Sequence, residues 1–353
     1  MAERVLRSDI EEVAHRLGEA AHALAGKTVI LAGARGFLGT HFTELFALLN
    51  ERVLRKPCTL VALDNLLTSG GAGDAPPQRP HARFIRHDVT EPFDWDGPLD
   101  YVIHAAGVAS PFFYRAYPLE TLAVSIAGTR NLLELATRAR ARFIFFSSSE
   151  IYGDPDARHV PTPESYRGYV ATRGPRACYD EGKRVGETLV YVFHEKFGTA
   201  ATTVRPFNVY GPAMQERDYR VLPNFASRIK GARSLNVYGS GAQTRTFCYI
   251  ADALLGFMLA MLRGAPGEVY NIGNPVPEVS VLELVRRIEK VLGRRLECDV
   301  IEYPDSYPAD EPMRRCPDIR KARLQLGFEP AVDLDEGLRR FLSWTDAAYT
   351  GKS

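Results

Sequence analysis

Thr28-Val29-Ile30-Leu31-Ala32 is a short β-prone run that leads at once into Gly33-Ala34-Arg35-Gly36-Phe37-Leu38-Gly39 and then a helical pattern reaching Leu49. Strand, glycine turn and helix in that order constrain the chain more than any other feature, because they describe the opening unit of a parallel sheet. Gly33 and Gly36 permit a tight turn, the helix start at Phe37 and Leu38 offers backbone N–H groups to a pyrophosphate, and Gly39 allows close helix-to-sheet contact. A second strand, Thr59 to Leu63, ends in Asp64 and Asn65. A carboxylate there accepts both ribose hydroxyls of an adenosine and repels a 2′-phosphate, so the pattern favours NAD over NADP.

Further apolar runs at Phe84–Arg86, Tyr101–His104, Arg142–Phe146 and Ala201–Val204 alternate with helical patterns at 119–138 and from Tyr179 to about Phe197. Such alternation predicts an α/β fold, a Rossmann-type doubly wound parallel sheet with helices on both faces. Strand ends in such a sheet line the ligand crevice, which places Asp88 and Val89 at the adenine edge and lets a flat cofactor lie against Ala105, Ala106 and Gly107. His87 and His104, also at strand ends, are read as structural hydrogen-bonding residues. Beyond Pro212 the pattern loosens: short strands and turns are expected at 221–225, 235–239 and 241–245, and helices at 252–263, 281–292 and 318–326. The expected organisation is an N-terminal amphipathic helix over 1–26, an NAD-binding domain over 27–212, and a smaller nucleotide-sugar-binding lobe over 213–353 that closes over the crevice, with about 243–264 returning to the first domain. Leu6, Ile10, Val13, Leu17, Ala21 and Leu24 form the apolar stripe of the N-terminal helix, with Gly26 ending it, and the stripe is expected to pack on the body or on a second subunit. The loop Leu67–Pro80, rich in Gly, Pro and Ala, is assigned no chemistry.

Composition removes several function classes. The 353 residues carry a formal net charge of +1, with no basic run to track a phosphate backbone, so nucleic acid is not an expected partner. Five scattered cysteines without Cys-x-x-Cys spacing argue against zinc or a disulfide frame and suit a reducing compartment; no metal site is expected. No secretory pattern and no bilayer-length apolar run are present, so the expected location is cytoplasmic, without membrane contact.

The run Gly174–Arg184 sets Tyr179 and Lys183 four positions apart, on one face of a helix. That spacing brings an ammonium beside a phenol, where positive charge favours phenolate and lowers the tyrosine pKa toward working pH. Strand Arg142–Phe146 delivers Ser147-Ser148-Ser149-Glu150 to the same carboxyl edge of the sheet. An NAD site beside Ser, Tyr and Lys specifies alcohol oxidation: the tyrosinate takes a hydroxyl proton, hydride goes to the nicotinamide, and Ser148 or Ser149 holds the reacting oxygen.

Four stretches carry a resemblance to a known family: His87-Asp88-Val89, Ser149–Pro155, Gly174–Arg184, and Tyr238–Arg245 with Arg315–Ile319 behind it. From Lys27 to Trp344 the chain resembles the extended short-chain dehydrogenase/reductases that act on nucleotide sugars, and within them the UDP-glucuronate decarboxylases (UDP-xylose synthases). The resemblance implies oxidation of UDP-glucuronate at C4, loss of CO2 from the β-keto acid, and return of the hydride to give UDP-xylose. It implies that Ser149 and Glu150 act at the decarboxylation and protonation steps, and that Arg315 lies near the sugar carboxylate or the diphosphate. Arg245 and the amide of Asn208 would hold the diphosphate, Tyr114 matches a family tyrosine, and Val221 and Tyr238 belong to the segment that recognises the base.

By the same resemblance, 4,6-dehydratases carry Asp-Glu where this chain has Ser149-Glu150, and 4-epimerases carry small apolar residues there. These two activities are the alternatives, together with an NAD- or nucleotide-sugar-binding protein without turnover. The chain departs from the family at Gly107–Phe112, where the decarboxylases read roughly Ser-Pro-Ala-Ser-Pro-Pro, at Ser125 in place of an asparagine, and at 171–173 in place of Asn-Pro-Ile. These changes are expected to sit near the sugar and alter its preference. The family also implies a homodimer built from the tyrosine helix and the helix before it, with Leu132, Leu133, Leu135, Leu189, Val192 and Phe193 as candidate apolar surface.

Overall fold

Apolar residues alternate between two cores along the central strands. Val29, Leu31, Leu60, Ala62, Ile103, Ile144 and Phe146 pack to one side, while Ile30, Ala32, Val61, Leu63, Val102, Phe143 and Phe145 pack to the other. Successive side chains of a strand point to opposite faces, so unbroken apolar runs require a sheet covered on both sides. The computed structural model, which describes residues 1–69, 79–302 and 312–352, has that arrangement; residues 70–78 of the expected Leu67–Pro80 loop lie outside it. Seven strands form the sheet: β1 Thr28–Ala32, β2 Thr59–Asp64, β3 Ala82–Arg86, β4 Tyr101–His104, β5 Arg142–Phe146, β6 Ala201–Pro206 and β7 Val269–Ile272. Their order is β7-β6-β5-β4-β1-β2-β3, all parallel. Strand order reverses between β1 and β4, which opens a crevice at their carboxyl ends.

Helices Phe37–Arg52 and Ile250–Arg263 cover one face, and Thr129–Ala139 and Ala177–Phe197, the tyrosine helix, cover the other. The N-terminal helix Ala2–Leu17 lies on the first face, on the body of its own chain. It ends earlier than the sequence suggested, because Gly18 takes φ +51, and a 3-10 turn then carries Ala21 and Leu24 into the core. Polar contacts pin it: the Tyr249 hydroxyl donates to Asp9 at 2.6 Å, and Arg16 pairs with Asp252 at 2.6 Å. Burial pushes the Asp9 carboxyl up to about 6, against the hydrogen bond from Tyr249 and the charge of Arg340.

Two expectations are corrected. Val221–Lys230 is a helix, not strands and turns. Leu222, Phe225 and Ala226 recur at helical spacing on its buried side, and Pro223 sits in the first turn, where a missing N–H costs nothing. The single helix expected over 119–138 is broken into Pro118–Ala123, a π-helical turn Val124–Gly128, and Thr129–Ala139. Leu132, Leu133, Leu135 and Phe193 are buried in the body, so of the candidate dimer residues only Val192 is well exposed and Leu189 partly so.

The remaining strands are short. Leu235–Tyr238 pairs with Cys298–Ile301, and Thr244–Arg245 lies between Val279–Ser280 and Arg314–Arg315. The return to the main sheet runs past residue 264 to Ile272, because β7 is its edge strand. Among the described residues no helix is long and apolar enough to cross a membrane, and no group of three His, Cys, Asp or Glu side chains is placed to hold a metal.

Candidate active site

The crevice begins at a backbone contact that only glycine allows. Gly33 has φ +83, and a Cβ on it would lie 2.6 Å from the Ala106 nitrogen; one on Gly39 would lie 2.0 Å from the Gly33 carbonyl oxygen. Gly36 caps helix Phe37–Arg52, whose first turn carries no acidic residue, so its N–H groups face the crevice without a competing anion. Asn65, Asp88, Val89, Ala105, Ala106 and Gly107 line the same space with Gly33, Gly36 and Asp64. Asp64 is fixed by three donors: the Arg35 and Leu66 nitrogens at 2.8 Å each, and the Ser69 hydroxyl at 3.2 Å. Asp88 accepts from the Asn65 amide at 2.9 Å and from the nitrogen and hydroxyl of Thr90 at 2.9 and 2.8 Å. Burial would raise its pKa, but these donors outweigh burial and hold it below the usual carboxylate value. A bare glycine cradle, an open helix start and a fixed carboxylate at the end of β2 fit NAD, and Asp64 opposes a 2′-phosphate.

The tyrosine helix packs closely because two of its glycines bare it, one toward the π-helical turn and one toward the sheet. A Cβ on Gly182 would come to 3.2 Å from Ser125, and one on Gly186 to 2.3 Å from the ring of Phe145. Tyr179 is thereby buried, with its ring stacked on Tyr114 at a centroid distance of 5.6 Å and an angle of 16°, and it hydrogen-bonds with Ser148. Lys183 is also buried and donates to the Phe146 carbonyl at 2.7 Å. A Cβ on Gly107 would lie 3.1 Å from its ammonium.

The lowered tyrosine pKa expected from the four-residue spacing is not found in the protein alone. Burial raises the Tyr179 pKa, and the hydrogen bond with Ser148 and the charges of Arg220 and Arg176 only partly oppose it. The Lys183 nitrogen stays 5.9 Å from the centre of the Tyr179 ring, held by the Phe146 carbonyl, and burial draws its own pKa down to about 8. His104, whose Nε2 meets the Thr129 hydroxyl at 3.1 Å, is pushed down to about 3 by burial and then by Lys183, and stays neutral. It is a structural residue, as read from sequence.

Next to this set stands a carboxylate held by two arginines. Ser148 caps the turn Ser149–Tyr152, its hydroxyl accepting from the Glu150 nitrogen at 3.2 Å. Glu150 Oε1 takes a close hydrogen bond from Arg315 and Oε2 one from Arg176. Arg176 also donates to Asp180 at 3.4 Å, and Arg315 to the Gly153 carbonyl at 3.3 Å. Both guanidiniums are buried, while Glu150 keeps 21% of its side chain exposed. Arg245, in register beside Arg315, donates to the Thr244 carbonyl at 2.8 Å. The Asn208 amide donates to the Thr246 carbonyl at 2.8 Å; Val221 opens its helix and Tyr238 ends its strand. The structure therefore gathers Ser148, Glu150, Tyr179, Lys183, Tyr114 and Arg315 in one place.

Two residues of this place were missed from sequence. Arg176 lies inside the quoted Gly174–Arg184 run, and Asp180 four residues on was its only local signal. Arg220, bonded to Asp218 at 3.0 Å, acts electrostatically on Tyr179. Next to Arg220, Tyr219 stacks on Phe112 at 5.2 Å and 22°.

A family model described as the NAD dependent epimerase/dehydratase family matches residues 29–273. UDP-glucuronic acid decarboxylase 1 of Xenopus tropicalis is 38% identical over 320 residues, which cover 90% of this chain and 72% of that protein. UDP-glucuronic acid decarboxylase 5 of Arabidopsis thaliana is 39% identical over 312 residues, 88% of this chain and 86% of that protein. Among solved structures, a UDP-glucose 4-epimerase from Thermotoga maritima superposes with a TM-score of 0.77 at 25% identity, covering 91% of this chain and 99% of the other. A dTDP-glucose 4,6-dehydratase from Streptomyces venezuelae with NAD bound gives 0.75 at 24% identity over 90% and 96%, a likeness of fold.

Proposed function

The chain belongs to the NAD dependent epimerase/dehydratase family, and we propose that within it this protein decarboxylates UDP-glucuronate to UDP-xylose. The observation that carries this reading is Glu150 between Arg176 and Arg315, beside the Ser148, Tyr179 and Lys183 set. An epimerase needs an oxidant and room for a ketone to turn. A β-keto acid that loses CO2 needs, in addition, a cation for its carboxylate and a proton for the enolate left behind. The decarboxylases named above, 38 and 39% identical, support the same choice.

Gly33, Gly36, Phe37, Leu38, Gly39, Asp64, Asn65, Asp88, Val89 and Ala105–Gly107 would hold NAD, which when bound would supply a reversible acceptor for the C4 hydride. Tyr179 takes the C4 hydroxyl proton and Ser148 holds the oxygen from which it leaves. Lys183 would hold the nicotinamide ribose of bound NAD. Arg315 receives the uronate carboxylate, and Glu150 with Ser149 governs protonation after CO2 departs. Tyr114 supports the tyrosine ring by stacking. Arg245 and Asn208 bind the diphosphate, while Val221 and Tyr238 border the base.

The same reading takes 27–212 as the cofactor domain and 213–353 as the nucleotide-sugar lobe. It places the protein in the cytoplasm, where its five free cysteines stay reduced. It also makes the protein a homodimer that covers Ile126, Val185 and Val192, which are about 40% exposed on the helical face away from the sheet.

The test is incubation of the purified, NAD-loaded protein with UDP-glucuronate, followed by mass spectrometry and proton NMR. A UDP-pentose with release of CO2 is expected; an unchanged mass with inverted C4 would overturn the reading in favour of an epimerase.

A further inference from the structure

Glu150 has two cations, and they come from different parts of the fold. Arg315 reaches it from the two-residue strand Arg314–Arg315 of the smaller lobe, and Arg176 from the start of the tyrosine helix in the main body. Each takes one oxygen of the carboxylate. The two arginines are anchored differently. Besides Glu150, Arg176 meets Asp180, one turn further along its own helix, with both side chains about 90% buried. Arg315 meets Glu150 and the Gly153 carbonyl, a neutral group. Arg176 thus has a second anionic tether within its own element, and Arg315 meets Glu150 across the lobe boundary.

We propose that Arg176 is a positioning residue that keeps Glu150 paired and fixed relative to Tyr179 while Arg315 turns to the carboxylate of the substrate. This rests on the decarboxylase reading above. A uronate arriving at Arg315 competes directly with Glu150 for the same guanidinium. Were Arg315 its only cation, Glu150 would become a largely buried, unpaired charge at the moment its position matters, a state with a high desolvation cost. With Arg176 in place, one oxygen of Glu150 stays held throughout. The helix that carries Arg176 carries Tyr179 three residues later, and Ser148, which bonds Tyr179, also accepts from the Glu150 nitrogen. Arg176 closes this ring of contacts, so the group that handles the proton after CO2 loss keeps its distance from the group that handles the C4 oxygen.

The experiment uses the full chain loaded with NAD and compares wild type, Arg176→Gln and Arg176→Lys with UDP-glucuronate as substrate. It reads kcat, KM, melting temperature, and the share of product released as a UDP-linked 4-ketone by mass spectrometry and NMR. For Arg176→Gln the expectation is a kcat lower by about 10²-fold, a KM within about threefold of wild type, and a raised share of released ketone, because oxidation outlives the later steps. Arg176→Lys keeps the charge without the fork and is expected to recover about tenfold of the lost rate. The proposal is overturned if Arg176→Gln turns over within about twofold of wild type. It is equally overturned if both variants are slowed alike, with a lowered melting temperature and no released ketone, since that is the behaviour of a plain structural pin. Failure of the wild-type protein to release CO2 from UDP-glucuronate overturns instead the functional reading on which the proposal rests.

Discussion

Gly186 is three residues beyond Lys183, where the tyrosine helix presses on β5. A Cβ there would lie 2.3 Å from Phe145 Cζ and 2.9 Å from Cε1. Phe145 has no exposed surface, and its ring is held from other sides by His104 at 5.6 Å and the Lys183 ammonium at 5.2 Å. In Gly186→Ala two effects oppose. Helix propensity favours alanine by about 1 kcal/mol. Carbon atoms prefer roughly 3.5 Å or more, so helix and ring must part by about 1 Å, an overpacking that costs about 1–3 kcal/mol. The net destabilisation is therefore about 0–2 kcal/mol, which a folded domain survives. The site is less tolerant: a shift of about 1 Å in Tyr179 and Lys183 relative to Ser148 and Phe146 is worth about 10²-fold in rate. Denaturant titration and steady-state turnover of UDP-glucuronate measure the two sides separately. A small stability change with kcat down about 10–100-fold is expected. Wild-type kcat at unchanged stability would refute the argument, because it would mean that the ring yields and this close approach does not set the catalytic geometry.

Tyr179→Phe keeps the stack on Tyr114 and removes the hydroxyl, so turnover falls by about 10²–10⁴-fold while cofactor absorbance of the purified protein is unchanged; turnover near wild type would remove Tyr179 from the mechanism. Glu150→Gln removes the carboxylate that Arg176 and Arg315 share, and is expected to slow the steps after oxidation and to raise released 4-ketone, whereas wild-type product ratios would make the carboxylate structural. Asp9 gives a pH signature. Its folded-state pKa of about 6 lies above the unfolded value, so its stabilising contribution is complete below pH 4 and is lost as pH rises through 6. Unfolding free energies of Asp9→Asn and wild type from urea titration should accordingly diverge by roughly 3 kcal/mol between pH 4 and pH 7, with the variant relatively more stable at the higher pH, and parallel curves would refute the assignment.

Six of the seven sheet strands and the glycine turn were readable from sequence because their signals are local: four to six neighbouring residues form each strand, and a strand followed by a glycine turn and a helix has few alternatives, whereas the edge strand Val269–Ile272 was not read. Helix Val221–Lys230 was not, because Pro223 reads as a breaker unless the helix start is known to lie two residues earlier. The tyrosine pair shows a different limit. Spacing placed Lys183 on the same helical face as Tyr179, but the rotamer that ties its ammonium to the Phe146 carbonyl, and the burial that raises the phenol pKa, belong to packing. Glu150 was recognised through motif resemblance, while its partner Arg176 stands 26 positions away and joins it only through the fold. Charge pairing across elements has no period in sequence, so nothing in the pattern linked Arg176 to Glu150 or Arg220 to Tyr179.

The departures from the family pattern sort themselves once they are placed. Ser125, expected beside the sugar, is 2% exposed in the π-helical turn and lies where a Cβ on Gly182 would touch it. A small side chain there lets the tyrosine helix come close at Gly182, the neighbour of Lys183. Gly107 lies where even a Cβ would approach the Lys183 ammonium to 3.1 Å, so its bareness serves the same residue from the opposite side. Phe112 is of another kind. It is 43% exposed on the short helix Pro111–Ala116 that carries Tyr114, and its stacking partner Tyr219 precedes Arg220, the arginine that acts on Tyr179. Two aromatic faces therefore meet between the helix that carries Tyr114 and the segment that leads to Arg220. Changes of the first kind keep the oxidation geometry intact with different packing, and the Phe112–Tyr219 contact changes what flanks it. The departures at Gly107–Phe112, Ser125 and 171–173 are at other positions than Ser148, Glu150, Tyr179, Lys183, Arg176 and Arg315, so the proposed chemistry does not depend on them.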